Sequence, residues 1–300
     1  LPVLAQAPFA GALMVSFFPL ALLLIFHEHG LWRRLFYLCA SLSLGFNIVF
    51  YLDRGSWLAC VGSMVVLAVL TQRKKSSWAV SAVAFGCVVW GLVAMGPHVE
   101  GLRWVFSGRA DSATLFQSVR FTIWGKVLEA LPHLPVFGVG WGETPWNSLV
   151  ARYSPLSYPN IYGFGPFFWT QPHNSYLQLL LSTGFPTFVC FAALIVLTMW
   201  VALKSLGAEE PPPRREVLLG MFAGLVGLLT QSALDRTLWL VPMNVLLWML
   251  VGAVWALSCP VGGLGRGTEL GDSPSSSELV TRSAITHGGR PDARGRPVST

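Results

Sequence analysis

The chain has 300 residues, 53% of them hydrophobic and 11% charged, with a formal net charge of +6. A soluble domain carries about 25% charged residues, so this composition excludes an ordinary soluble protein and points to an integral membrane one. The positive charge is no sign of nucleic acid: the basic residues sit in short loops between apolar runs, where the positive-inside rule accounts for most of them.

A spanning helix needs about 20 apolar residues. Taken in chain order, the candidate runs are 8–26, 32–51, 55–70, 78–96, 174–203, 217–234 and 238–257, the third being short. Arg33 and Arg34 follow the first run, Arg73, Lys74 and Lys75 the third, and Lys204, Arg214 and Arg215 the fifth. These clusters fall on alternate loops, which places that side in the cytoplasm. The opposite side then holds Asp53 and Arg54, the long segment 97–173, and Asp235 and Arg236. The expected fold is an all-α integral membrane protein with about seven transmembrane helices and one long extracytoplasmic loop containing an amphipathic helix. Its parts are helices one to four (1–96), the loop (97–173), helices five to seven (174–257) and a cytoplasmic tail (258–300). The tail is rich in Gly, Pro, Ser and Arg without apolar period, and reads as disordered. Leu1 opens the chain with no charged n-region and no cleavage site, so the expectation is that residues precede it or that it was processed. Cys39, Cys60, Cys87, Cys190 and Cys259 lie in or just beyond apolar runs without metal-ligand spacing; they read as small membrane-core residues. No metal site and no cofactor are expected.

The loop is too long for a plain connection, and such loops tend to carry function. It contains one helix candidate, residues 112–131, with Asp111 or Ser112 to cap its start and Pro132 at its end. Phe116, Val119, Ile123, Trp124, Val127 and Leu131 form one apolar arc of that helix, which suits the membrane surface or the flank of the spans. Arg120 falls inside the arc. An arginine in a low-dielectric place needs an anionic partner; it either snorkels to lipid phosphates or clamps a phosphate of a substrate. Arg54, at the outer end of the third run, either heads a helix behind Asp53 or joins such a clamp. Arg236 and Arg109 fall on the same side. In "PHNS", Asn174 or Ser175 caps the fifth run, which leaves His173 unexplained; a neutral imidazole there can act as a general base on a sugar hydroxyl. "GVGWG" (138–142) lacks the flanking strand and helix of a dinucleotide site and reads as a turn that lets backbone approach closely.

Together these residues resemble the O-antigen ligase and O-antigen polymerase superfamily. The resemblance rests on "DRGSWLA" at the start of a span, on Arg120, Trp124, Pro135, Gly138, Gly140 and Gly142 in the outer loop, and on His173, Asn174, Tyr176, Leu177, Gln178 and Gly184 where the loop closes. It covers about 45–200. It implies a metal-independent, inverting transfer of a glycan from undecaprenyl diphosphate to an acceptor hydroxyl, at the outer face of the bacterial cytoplasmic membrane. The acceptor is a glycolipid, a polysaccharide or a protein. By matching position, Arg54 and Arg120 bind the diphosphate and stabilise it as it leaves, and His173 activates or orients the acceptor. Asn174, Tyr176, Gln178 and Trp124 support the substrate site; Arg109 and Arg236 join it by placement alone. Family members carry further spans upstream, so the chain reads as the C-terminal part of a longer enzyme. The rivals are a protein O-oligosaccharyltransferase, which shares the signature, a polysaccharide exporter or flippase, and a membrane structural protein. A flippase needs charge within its spans, and these spans carry essentially none away from their ends.

Overall fold

The computed structural model describes residues 7–50, 54–71, 119–141, 149, 152, 172–208 and 212–259. They belong to one compact unit, Leu1–Cys259; the second unit, Pro260–Thr300, lies outside the described residues, as do the expected fourth span, Arg109 and the first turns of the expected loop helix. Among the described residues every regular element is helical. The helices are α1 (Ala7–His27), α2 (Leu31–Phe50), α3 (Arg54–Thr71), α4 (Val119–Ala130), α5 (Ser175–Gly207), α6 (Pro212–Leu234) and α7 (Val241–Ser258). Short 3₁₀ turns follow α4 at Leu131–His133 and precede α7 at Thr237–Trp239.

Four of these helices are long and apolar enough to cross a membrane: Ala10–His27, Ser175–Gly207, Arg214–Leu234 and Val241–Ser258. Two expected spans fall short of that measure, for visible reasons. The apolar part of α3, Gly55–Thr71, is short, and α2 opens on Arg33 and Arg34 and mixes Ser41, Ser43 and Asn47 among its apolar residues.

Helix α6 is the axis of the bundle, in contact with α1, α3, α5 and α7. Its Leu218, Leu219, Phe222, Leu225 and Leu228 are almost fully buried. Small residues set its distance from α1. A Cβ on Gly224 would stand 2.0 Å from the Ser16 carbonyl oxygen, and one on Gly220 2.8 Å from Leu20 Cα. Close backbone approach of this kind is how membrane helices gain packing when the hydrophobic effect no longer separates helix from lipid.

The start of α6 is tied to three helix C-termini. Glu216, buried, meets His27 Nε2 of α1 at 3.0 Å. Arg215 donates to Leu70 O of α3, and Arg214 donates to Leu257 O and Cys259 O beyond α7. These guanidinium groups satisfy carbonyls that a helix end leaves open. Because α6 and α3 meet there start to end, Arg54 heads α3 at the opposite end of the bundle, the end where α6 stops at Asp235.

A smaller core sits at that opposite end. Ile123, Val127, Ala130 and Leu134 bury against Leu180 and Leu181 of α5. The arc read from the sequence therefore packs on a span, the second of its two expected settings.

Helix α5 departs from the expected unbroken span over 174–203. Gly184 has φ 77° and ψ −179°, which divides the helix into Ser175–Thr183 and Phe185–Gly207. Pro186 is the chemical reason: it has no N–H to give to the Ser182 carbonyl.

Candidate functional site

The site is built where the start of α5, the end of α6 and helix α4 meet. Asn174 caps α5, its Oδ1 accepting from Tyr176 N at 2.9 Å and Leu177 N at 3.0 Å. This is the expected cap, and it fixes the residue before it. His173 stands at φ 48°, in the left-handed region that a non-glycine residue enters at a cost and that concentrates at functional positions. Trp124 holds the next residue back, its Nε1 donating to Pro172 O at 2.8 Å.

The end of α6 is stitched to this start. Ser175 donates to the Asp235 carbonyl through its N–H at 3.1 Å and its Oγ at 2.9 Å. The same Oγ accepts from Leu238 N at 3.1 Å. These bonds present the Asp235 carboxylate to three groups. Its Oδ1 accepts from Arg236 N at 2.7 Å and faces His173 Nδ1 at 3.4 Å; its Oδ2 faces Arg120 Nη2 at 3.3 Å. Arg120 Nη1 also donates to Leu234 O at 2.5 Å.

One carboxylate thus joins the histidine and the arginine that the sequence singles out separately. The anion that Arg120 needs is supplied within the protein: its head turns from the apolar arc to the Asp235 carboxylate, and a lipid or substrate phosphate is not needed to pair it. Two of its five N–H groups are engaged in these bonds. Asp235 is the residue that sequence reasoning misses, since there it is only the neighbour of Arg236. The signal was present: an arginine that needs an anion, and an acidic residue in a short turn on the same side.

A carboxylate only accepts, so the His173 Nδ1 facing it is the donor; the tautomer that donates there leaves Nε2 as the nitrogen able to accept a proton. The His173 side chain is 30% exposed and Asp235 7%; an acceptor can reach the imidazole but not the acid behind it. Burial pushes the Asp235 carboxyl up. The hydrogen bond from His173, the charge of Arg120 and the Arg236 N–H outweigh it and hold the group below its ordinary 3.8. A depressed carboxylate stabilises the fold fully above its unfolded value, and that stabilisation is lost as pH falls through the folded one. Asp235→Asn should therefore lower thermal stability at neutral pH and flatten the acid-side loss. Melts of purified protein between about pH 6 and pH 3 check this; parallel curves for the two proteins would exclude a depressed Asp235 carboxyl.

The remaining expected residues are placed as follows. Tyr176 points away from the polar cluster, its hydroxyl donating to Leu229 O at 2.7 Å. It lies between two apolar cavities. One, of about 420 Å³, runs between α5 and α6 past Phe188, Ile195 and Met199. The other, of about 330 Å³, lies between α5 and α7 behind the stacked Trp141 and Trp239. Gln178, one turn below Asn174, is almost fully buried, and among the described residues its amide has no hydrogen-bond partner. It does not reach the surface that His173 occupies. Arg236 is half-buried and opens the turn before α7. Arg54 is the first residue of α3. Arg109 lies outside the described residues.

The glycine turn behaves as expected. Gly138, at φ 76°, brings the loop backbone against α5, where Val139 N donates to Leu181 O at 2.9 Å and Gly140 N to Ser182 O at 3.0 Å.

Comparison with known proteins adds the family. A family model described as "O-Antigen ligase" matches residues 38–192, just over half of the chain. The chain is also 26% identical over 181 residues to the "ComP-specific O-oligosaccharyltransferase" of Acinetobacter baylyi (strain ATCC 33305 / BD413 / ADP1). That similarity covers 59% of this chain but spans only 30% of the length of the relative. No solved structure matches the chain.

Proposed function

Because the chain belongs to the O-antigen ligase family, we propose that it transfers a glycan from an undecaprenyl-diphosphate carrier to an acceptor hydroxyl, at the outer face of the bacterial cytoplasmic membrane. The observation that carries this reading is the Arg120–Asp235–His173 cluster, in which one shielded carboxylate orients a reachable imidazole beside a guanidinium.

In the proposed step the acceptor oxygen forms its bond to the anomeric carbon as the bond from that carbon to the diphosphate breaks, with inversion. The acceptor proton passes to His173 Nε2, and the diphosphate leaves with the bonding electron pair. Asp235 keeps the imidazole in the tautomer that can receive the proton and stabilises the imidazolium that forms. The N–H groups of Arg120 that have no partner among the described residues meet the developing diphosphate charge, joined from the same end of the bundle by Arg54 and Arg236, and by Arg109 from the outer loop. Trp124 and Tyr176 act indirectly, since Trp124 Nε1 and the Tyr176 hydroxyl are bonded within the protein, and Asn174 spends its Oδ1 on the cap of α5. Gln178 supports the site from below. The apolar cavities on either side of Tyr176 suit a polyprenyl chain entering from the bilayer.

On this reading arginines carry the role that a cation plays in many diphosphate reactions, so transfer needs no added metal. Membranes containing the protein and a lipid-linked glycan should keep their activity in excess EDTA. Loss that magnesium or manganese restores would put a cation at the diphosphate and remove the arginines from that role. Profiling lipid-linked glycans in a deletion strain separates the variants of the reading. Loss of a ligase leaves polymerised donor on its carrier, and loss of a polymerase leaves single repeat units.

The similarity to the A. baylyi enzyme favours a second reading, in which the acceptor is a protein hydroxyl. The chemistry at His173 is unchanged, and the two readings separate by whether glycan appears on protein or on glycolipid. An exporter is disfavoured by the charge pattern: α1, α5 and α6 carry their histidine, lysine, arginine and carboxylate side chains at their ends, and α7 carries none.

A further inference from the structure

We infer that Gly184 is a positioning residue for transfer, because the break it makes in α5 sets the His173 segment against the Arg120 segment. The inference rests on the transfer reading above.

Arg120 rides on α4 and His173 on the head of the half-helix Ser175–Thr183. The two segments are joined at the head by Trp124 and Pro172 O, and along their flanks by Ile123 and Val127 packing near Leu180 and Leu181. At the tail they are joined by backbone hydrogen bonds as well. Val139 N and Gly140 N donate to the carbonyls of Leu181 and Ser182, and Phe185 N donates back to Val136 O at 3.0 Å.

That tail depends on what positions 184 and 186 lack. Pro186 has no N–H, so the Ser182 carbonyl is left for the loop. Gly184 at φ 77° turns the chain so that both carbonyls face outward, and its missing side chain leaves room for the loop to enter. A Cβ at 184 would stand 2.0 Å from Val136 O and 2.5 Å from Gly138 N. Any side chain there must push the loop, and α4 with it. The Asn174 cap and the Ser175–Asp235 bonds do not pass through the loop. Displacing it therefore acts first on α4 and Arg120, and reaches the His173–Asp235 pair only through the bonds of Trp124 and Arg120 to Pro172 and Asp235.

The test is Gly184→Ala together with Pro186→Ala in the full chain, assayed in membranes with lipid-linked glycan donor. Pro186→Ala adds no steric clash and supplies an N–H that competes with Gly140 for Ser182 O. It loosens the same contact without a packing defect. Both variants should lower kcat about tenfold at matched protein levels, with KM for the donor changed less than about threefold, and Pro186→Ala should keep or raise the thermal midpoint. Wild-type kcat per folded molecule in both variants, with only accumulation or melting temperature lowered in Gly184→Ala, would make the break purely structural and overturn the inference. Absence of transfer by the wild type would sink the underlying reading instead.

Discussion

Replacing His173 with asparagine is expected to lower glycan transfer by about 10²–10⁴-fold, the range that a positioned general base contributes, while the protein accumulates normally. Asparagine is chosen because His173 sits at φ 48°, a conformation that asparagine tolerates better than alanine. The backbone ahead of the Asn174 cap is then kept, as is a donor that can face Asp235, and only the basic Nε2 is lost. This separates two roles that share the position. If His173 matters because it opens α5, asparagine should serve nearly as well. If it takes the acceptor proton, asparagine should not serve at all. Transfer within about threefold of wild type at matched membrane levels would remove His173 from the chemistry.

Arg120→Lys is the second large effect, with an expected loss of about 10- to 150-fold, from roughly 1.5–3 kcal/mol for a charge-assisted hydrogen bond. Lysine keeps the charge and can still reach the interface, so insertion should be normal. It lacks the planar fork that lets one group hold Leu234 O and Asp235 while offering further N–H groups to a diphosphate. The size of the loss alone does not say whether Arg120 acts on the diphosphate or only on Asp235. A double-mutant cycle does. If the arginine works only through Asp235, Arg120→Lys should cost little more once Asp235→Asn is present. If it also meets the donor, the two losses should come close to multiplying. Near-wild-type transfer by Arg120→Lys itself would return this arginine to a structural contact with the α6–α7 turn.

Much of this arrangement is legible in the sequence because it is local. The apolar runs show the helices, and "HNS" shows the cap that Asn174 makes. The position of Arg120 among apolar neighbours shows that an anion must be near it. What stays hidden is non-local. Arg120 and Asp235 are 115 residues apart, and no periodicity links a loop helix to a turn between two later spans. The break in α5 is hidden for another reason. Gly184 and Pro186 lie inside an apolar run long enough to span, which reads as one helix; the loop from Val136–Gly140 that takes up the Ser182 carbonyl left open by Pro186 comes from outside that run. Gln178 shows a third limit: its type suggests a substrate contact, whereas its depth below Asn174 comes from packing. The expected fourth span and Arg109 lie outside the described residues, and the sidedness of the loop remains part of the proposal.

The central helix has a further consequence. Helix α6 is fastened at its start, where Arg214, Arg215 and Glu216 meet three other helices, and at its finish, where Asp235 meets Ser175. Its 23 residues therefore act as a gauge of length and also of phase. Inserting one residue between the two fastenings would advance Asp235 by about 1.5 Å and swing it through about 100°. It would then face away from His173, although every residue of the site is still present and every apolar run still long enough to span. The spacing between Glu216 and Asp235 is accordingly under a stricter constraint than its composition, and this stretch of chain should accept exchanges of side chain far more readily than changes in count.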